Sequence, residues 1–97
     1  MFMDKLLWWL IAGSTGGLNH AKIIKALHDR PYNINQLSES LNLNYKTVQH
    51  HIKVLEENKV ITFTGKQKYG KMYYLSNKME ENYDTFKDIC KEGKISI

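Results

Sequence analysis

The chain has 97 residues, 42% of them hydrophobic, with 14 Lys and Arg against 10 Asp and Glu and one cysteine. That length fits a single domain, 1–97, able to bury a core without disulfides or a structural metal. One cysteine excludes an intrachain disulfide framework and any Cys-rich zinc module, and the composition is too apolar for a disordered chain.

The net charge of +4 is unevenly spread. Residues 1–40 hold four basic and three acidic side chains, residues 41–78 hold seven lysines against Glu56 and Glu57, and residues 79–97 hold three lysines against five acids. The positive charge therefore sits in one central block, as a surface facing nucleic acid requires. A solvated lysine-rich surface would give the same count.

The first expected element, within residues 1–13, is an apolar helix. Its uninterrupted apolar run, Leu6 to Ala12, is seven residues, against the roughly twenty that a membrane span needs. Asp4 stands where a signal peptide would be positive. Phe2, Leu6, Trp9 and Leu10 share one helical face, while Leu7, Trp8 and Ile11 cover much of the other. A helix apolar most of the way round is buried on two sides, and in so small a domain the second side falls to another subunit. Shallow contact with a membrane surface is the rival reading of this segment.

Gly13-Ser14-Thr15-Gly16-Gly17 breaks that helix, and lacks the Gly-Lys-Ser/Thr of a phosphate loop. A second helix, about Leu18 to Asp29, carries Ile23, Ile24 and Leu27 at core spacing and ends before Pro31. Asn33-x-x-Gln36 is a capping-box variant opening a short helix with Leu37 and Leu41 inward. After the break Asn42-Leu43-Asn44, Asn44 caps a helix from Tyr45 to about Asn58, in which Val48, Ile52 and Leu55 form one apolar stripe. Val60 to Thr64 alternates with period two, Gly65 to Gly70 is a basic loop, and Lys71 to Leu75 is strand-like, together a β-hairpin. Met79, Tyr83, Phe86 and Cys90 recur at i, i+4, i+7 and i+11 on one last amphipathic helix, 77–92.

Two short helices joined by a few residues, the second with polar side chains above an apolar stripe, form a helix-turn-helix, and the hairpin after it is a wing. The expected fold is thus mainly α with a small β-hairpin (α+β): a winged helix-turn-helix core, 18–76, with an extra helix at each end. Through Leu41-Asn42-Leu43-Asn44-Tyr45-Lys46-Thr47-Val48-Gln49-His50-His51-Ile52-Lys53-Val54-Leu55 the chain resembles the ArsR-like winged-helix transcription regulators of prokaryotes, archaeal members above all. That family reads roughly L-x-L-S-x-x-T-V-S-x-H-L-x-x-L there; Thr47, Val48, His51 and Leu55 match, and Asn44, Gln49 and Ile52 are similar replacements. The resemblance covers about residues 18–78. It implies a homodimer that binds double-stranded DNA at a pseudo-palindromic operator and regulates transcription, most simply as a repressor; the lone Cys90 makes a reducing, cytoplasmic setting the default.

Residues near the start of a recognition helix read base edges while others hold phosphates. Tyr45, Lys46, Gln49 and His50 are assigned to the groove, Asn44 and Thr47 to phosphates, and Lys53, Lys66, Lys68, Tyr69 and Lys71 to the flanks and the wing. Thirteen lysines accompany only one arginine, Arg30. Gln suits adenine as Arg suits guanine, so Gln49 points to an A·T-containing half-site. The two terminal helices form the expected dimer interface through Phe2, Leu6, Trp8, Trp9, Leu10, Met79, Tyr83, Phe86 and Cys90. No metal site is expected: the helix before the turn lacks the cysteines of the family's metal sensors, and His20, His28, His50 and His51 include no i, i+4 ligand pair. No cofactor, paired carboxylates or nucleophile motif marks an enzyme. A winged helix serving as a protein-interaction module, or a nonspecific chromatin-like DNA binder, is the alternative.

Overall fold

The computed structural model describes residues 2–65 and 70–97, the side chain of Phe2 excepted. The order is α1 (Phe2–Leu7) with a π-helical continuation (Trp8–Ala12), α2 (Gly17–Asp29), α3 (Ile34–Leu41), α4 (Tyr45–Glu57), β1 (Ile61–Thr64), β2 (Met72–Leu75), α5 (Asn77–Glu81) and α6 (Tyr83–Glu92). The expected class is correct: a mostly helical winged helix with a two-stranded antiparallel hairpin.

The helix-turn-helix is locally determined. Asn33 Oδ1 accepts from the Gln36 N–H (2.7 Å) and Gln36 Oε1 from the Asn33 N–H (3.0 Å), closing the capping box that starts α3. Asn42 ends α3 in the left-handed region, φ 54°, which Asn tolerates better than most residues. Asn44 Oδ1 then accepts from the N–H groups of Lys46 (2.8 Å) and Thr47 (3.4 Å), starting α4. Leu37 from α3 and Val48, Ile52 and Leu55 from α4 are buried against Ile23, Ile24 and Leu27 of α2 in one continuous core.

The wing pairs Ile61 with Leu75 and Phe63 with Tyr73. Tyr32, in the connection between α2 and α3, exchanges two backbone hydrogen bonds with Tyr73 (2.8 and 3.1 Å). That bridge occupies part of the free edge of β2 and anchors the wing to the start of the helix-turn-helix.

The terminal helices depart from the expectation in three ways. In the first, Met3, Leu7, Leu10 and Ile11 face the core, while Trp8 and Trp9 are 40% and 55% exposed. The inner face is thus neither of the two read from the sequence: it takes Leu10 from one and Leu7 and Ile11 from the other. The helix also ends in a widened turn in which the Gly13 N–H donates to Trp8 O, five residues back (2.9 Å). The freed carbonyl of Leu10 accepts from Ser14 Oγ of the following loop (2.9 Å) and from His20 Nδ1 (2.8 Å), and the latter ties the helix end to α2.

The single last helix is, second, two helices. Asn82, at φ −108° and ψ 15°, separates α5 from α6, and its side-chain amide donates back to Lys78 O (2.8 Å). Third, Leu10, Met79, Phe86 and Cys90 are buried inside this one chain. α6 packs on the first helix, and the stripe expected to meet a second subunit is spent on that contact, so these four residues lie behind any surface that a partner could touch. Burial also pushes the Cys90 thiol up from its ordinary pKa, leaving it less reactive.

Candidate nucleic-acid interface

The interface is built on α4. With Val48, Ile52 and Leu55 turned into the core, the 3.6-residue period leaves Tyr45, Lys46, Gln49, His50 and Lys53 exposed on the other side. Tyr45 is 48% exposed although it is large and aromatic. Thr47 is half-buried, and the Asn44 side-chain oxygen is engaged in capping.

A cleft of about 450 Å³ runs between the start of α3, the outer face of α4 and the base of the wing. Asn33, Asn35, Tyr45, Gln49, Lys53 and Lys71 line it. Lys71 is held with its ammonium 4.0 Å from the centroid of the Phe63 ring, a cation–π contact that fixes the base of the wing. Lys66, Lys68 and Tyr69, expected at the tip, lie outside the described residues. Glu56 is the one carboxylate among the described residues lining the cleft. Burial, followed by the nearby Glu56 and Tyr45, raises the pKa of Tyr73, so its hydroxyl stays a neutral donor across the physiological range.

Asn35 was not singled out from the sequence. It is a polar residue in a polar stretch, and only the packing of α3 on α4 brings it beside Gln49. His51 was noted only as a motif match. It is 9% exposed and meets His20 of α2 edge to face, ring centroids 4.7 Å apart. The two stand 31 positions apart in the sequence, where no local period connects them.

Among the described residues no group of three or more His, Cys, Asp and Glu side chains could hold a metal ion. No helix among them is long and apolar enough to cross a membrane.

Residues 19–62 match the sequence profile described as bacterial regulatory protein, arsR family. The matched segment runs from α2 through the helix-turn-helix into β1, and supplies the α3 and α4 walls of the cleft. This segment is similar to that family, and the chain has the winged-helix fold. The fold is shared with a probable transcriptional regulator from Pseudomonas aeruginosa (TM-score 0.72, 14% identity, 96% of this chain and 72% of that one). It is shared as well with a MarR transcriptional regulator from Methanosarcina mazei Go1 (TM-score 0.70, 17% identity, 96% and 77%). Reduced HlyU from Vibrio cholerae aligns over 96% of this chain and 88% of its own at 14% identity (TM-score 0.64). No curated protein sequence matches the chain. In this fold α4 stands in the place of the recognition helix and the β1–β2 hairpin in that of the wing.

Proposed function

We propose that the protein is a cytoplasmic, sequence-specific double-stranded DNA-binding transcription regulator, acting as a homodimer on a pseudo-palindromic operator, most simply as a repressor. The observation that carries this reading is the outer face of α4. Five polar or basic side chains stand exposed above a fully buried stripe, beside the base of the wing with Lys71. The positive surface holds the phosphates, while Tyr45, Lys46, Gln49 and His50 reach the base edges. Asn44 and Thr47, at the start of α4, serve phosphates with Lys53 and Lys71.

Gln49 is the base reader in this account. Its alanine variant should lose about 1–3 kcal/mol on an operator duplex and little on random DNA. Fluorescence anisotropy on both duplexes checks this; equal losses on the two would remove Gln49 from the reading role.

For the dimer, the first helix and α6 remain the proposed elements, through the side chains that keep exposed area: Leu6, Trp8, Trp9 and Tyr83. Phe2 belongs to the same helix. A two-fold pairing would set the recognition helices ~34–36 Å apart, one turn of DNA. Sedimentation should show a dimer at micromolar concentration, with the double substitution Trp8→Ala and Trp9→Ala moving it to monomer. A wild-type monomer under those conditions would contradict the dimer.

A further inference from the structure

Behind the recognition helix the two buried imidazoles form an arrangement that DNA contact does not explain. His20 is 4% exposed and His51 9% exposed, and their rings are nearly perpendicular, 89°. His20 Nδ1 donates to the Leu10 carbonyl. A carbonyl can only accept, so Nδ1 carries the hydrogen and Nε2 of the neutral ring is a bare lone pair. Asn19 Nδ2 donates to His51 Nε2 (3.4 Å), which leaves the hydrogen of the neutral ring on Nδ1. His20 Nε2 and His51 Nδ1 are both buried with no partner among the described residues.

The groups facing the pair can be named from every element around it. The first helix supplies Trp9 and the Leu10 carbonyl, the connecting loop Ser14, Thr15 and Gly16, α2 Asn19, and α4 His50 and Val54. His50 is the one further titratable group among these, and none is a carboxylate. A proton added to His20 would sit on Nε2, where no acceptor waits. One added to His51 would sit on Nε2, facing the Asn19 amide hydrogens. His51 also packs closely on Gly16, where an added Cβ would lie 2.8 Å from His51 Cε1. An imidazolium in this place is a buried, unpaired charge next to a second imidazole, a far costlier state than the neutral pair.

We propose that His20 and His51 position the recognition helix only as a neutral pair, and that proton uptake by either ring in acid loosens α4 from α2 and releases DNA. The first half is a property of this chain's packing; the release of DNA rests on the function proposed above. Burial lowers the pKa of His20, with the Leu10 hydrogen bond opposing and His50 adding to the effect. Burial also lowers that of His51, with His20 and His50 adding to it. The unfolded chain takes up protons near the ordinary value of about 6.5. The pair's contribution is therefore complete above that pH and is lost as pH falls below it toward the lowered folded-state values.

The test uses the full chain in two measurements. The first follows the imidazole Cε1–H resonances of the wild type from about pH 8 to 5, assigned by those missing from His20→Phe and His51→Phe, with urea unfolding across the same range. Two of the four resonances should stay neutral well below pH ~6.5, and the unfolding midpoint should fall in acid by much more in wild type than in the double Phe variant. His20 and His51 titrating at or above that pH would overturn the proposal; this reading needs only wild-type assignments if the double variant fails to fold.

The second measures binding to random-sequence duplex at fixed ionic strength in a His50→Gln background, which removes the third imidazole. Affinity should drop about tenfold if the competent fraction falls to about a tenth in acid. An equal drop after both Phe substitutions would overturn the coupling. No binding by the wild-type chain even at about pH 7.5, above the imidazole range, would overturn the DNA-binding reading and its release step, whereas the titration would still decide the packing claim.

Discussion

Gly17→Ala should destabilise the fold by about 3 kcal/mol, the upper end for forcing an extra carbon into a packed site. A Cβ at Gly17 would lie 1.8 Å from the carbonyl oxygen of Ile11. The clashing atom belongs to the backbone of the preceding helix, so no side chain can swing aside, and α2 would have to separate from the first helix. That separation would break the Leu10 carbonyl's bond to His20 and withdraw Leu10 and Ile11 from the core. Urea unfolding measures the loss. Gly13→Ala is the comparison: its Cβ would meet Trp9 O at 3.2 Å, tight but relieved by a shift of a few tenths of an ångström, and its φ of −102° suits any residue, so its loss should be much the smaller. Equal stability of Gly17→Ala and wild type would contradict the close packing of α2 on the first helix.

Phe86→Ala should be at least as damaging, costing about 3–5 kcal/mol. Phe86 is fully buried in α6, with the ring of Tyr83 at 5.3 Å, and α6 reaches the rest of the molecule chiefly through the first helix. Cutting the ring back to a methyl leaves a cavity at the joint between the two terminal helices. Because those helices are also the proposed dimer elements, the variant should lose dimer affinity together with stability, whereas Trp8→Ala should lose dimer affinity with little change in monomer stability. Denaturant unfolding at several protein concentrations separates the two effects.

What the sequence made legible was whatever a few neighbouring residues decide. Asn33 with Gln36, Asn44 before Tyr45, and the stripe of Val48, Ile52 and Leu55 all lie within one or two helical turns of their partners. Their outcomes therefore follow from spacing alone, and the exposed face of α4 comes with them. The first helix hid its phase because both of its faces are apolar, so no polar side marked which residues point outward. The break at Asn82 was invisible because Met79, Tyr83, Phe86 and Cys90 keep helical spacing straight through it. Gly17 reads as one more loop glycine until Ile11 O is seen against it. The contact between His20 and His51 is created by the packing of α2 on α4, a tertiary fact with no local signature.

Selection of bound duplexes from a random pool at moderate salt decides whether α4 reads DNA. A two-fold motif should be enriched whose half-sites lie about one helical turn apart and include A·T pairs. With about four phosphate contacts per subunit, affinity for that duplex should fall with a log–log salt slope near −7. Failure of the protein to retain any duplex even at low salt would contradict the assignment of α4 as a DNA-reading helix and turn its exposed face toward a protein partner.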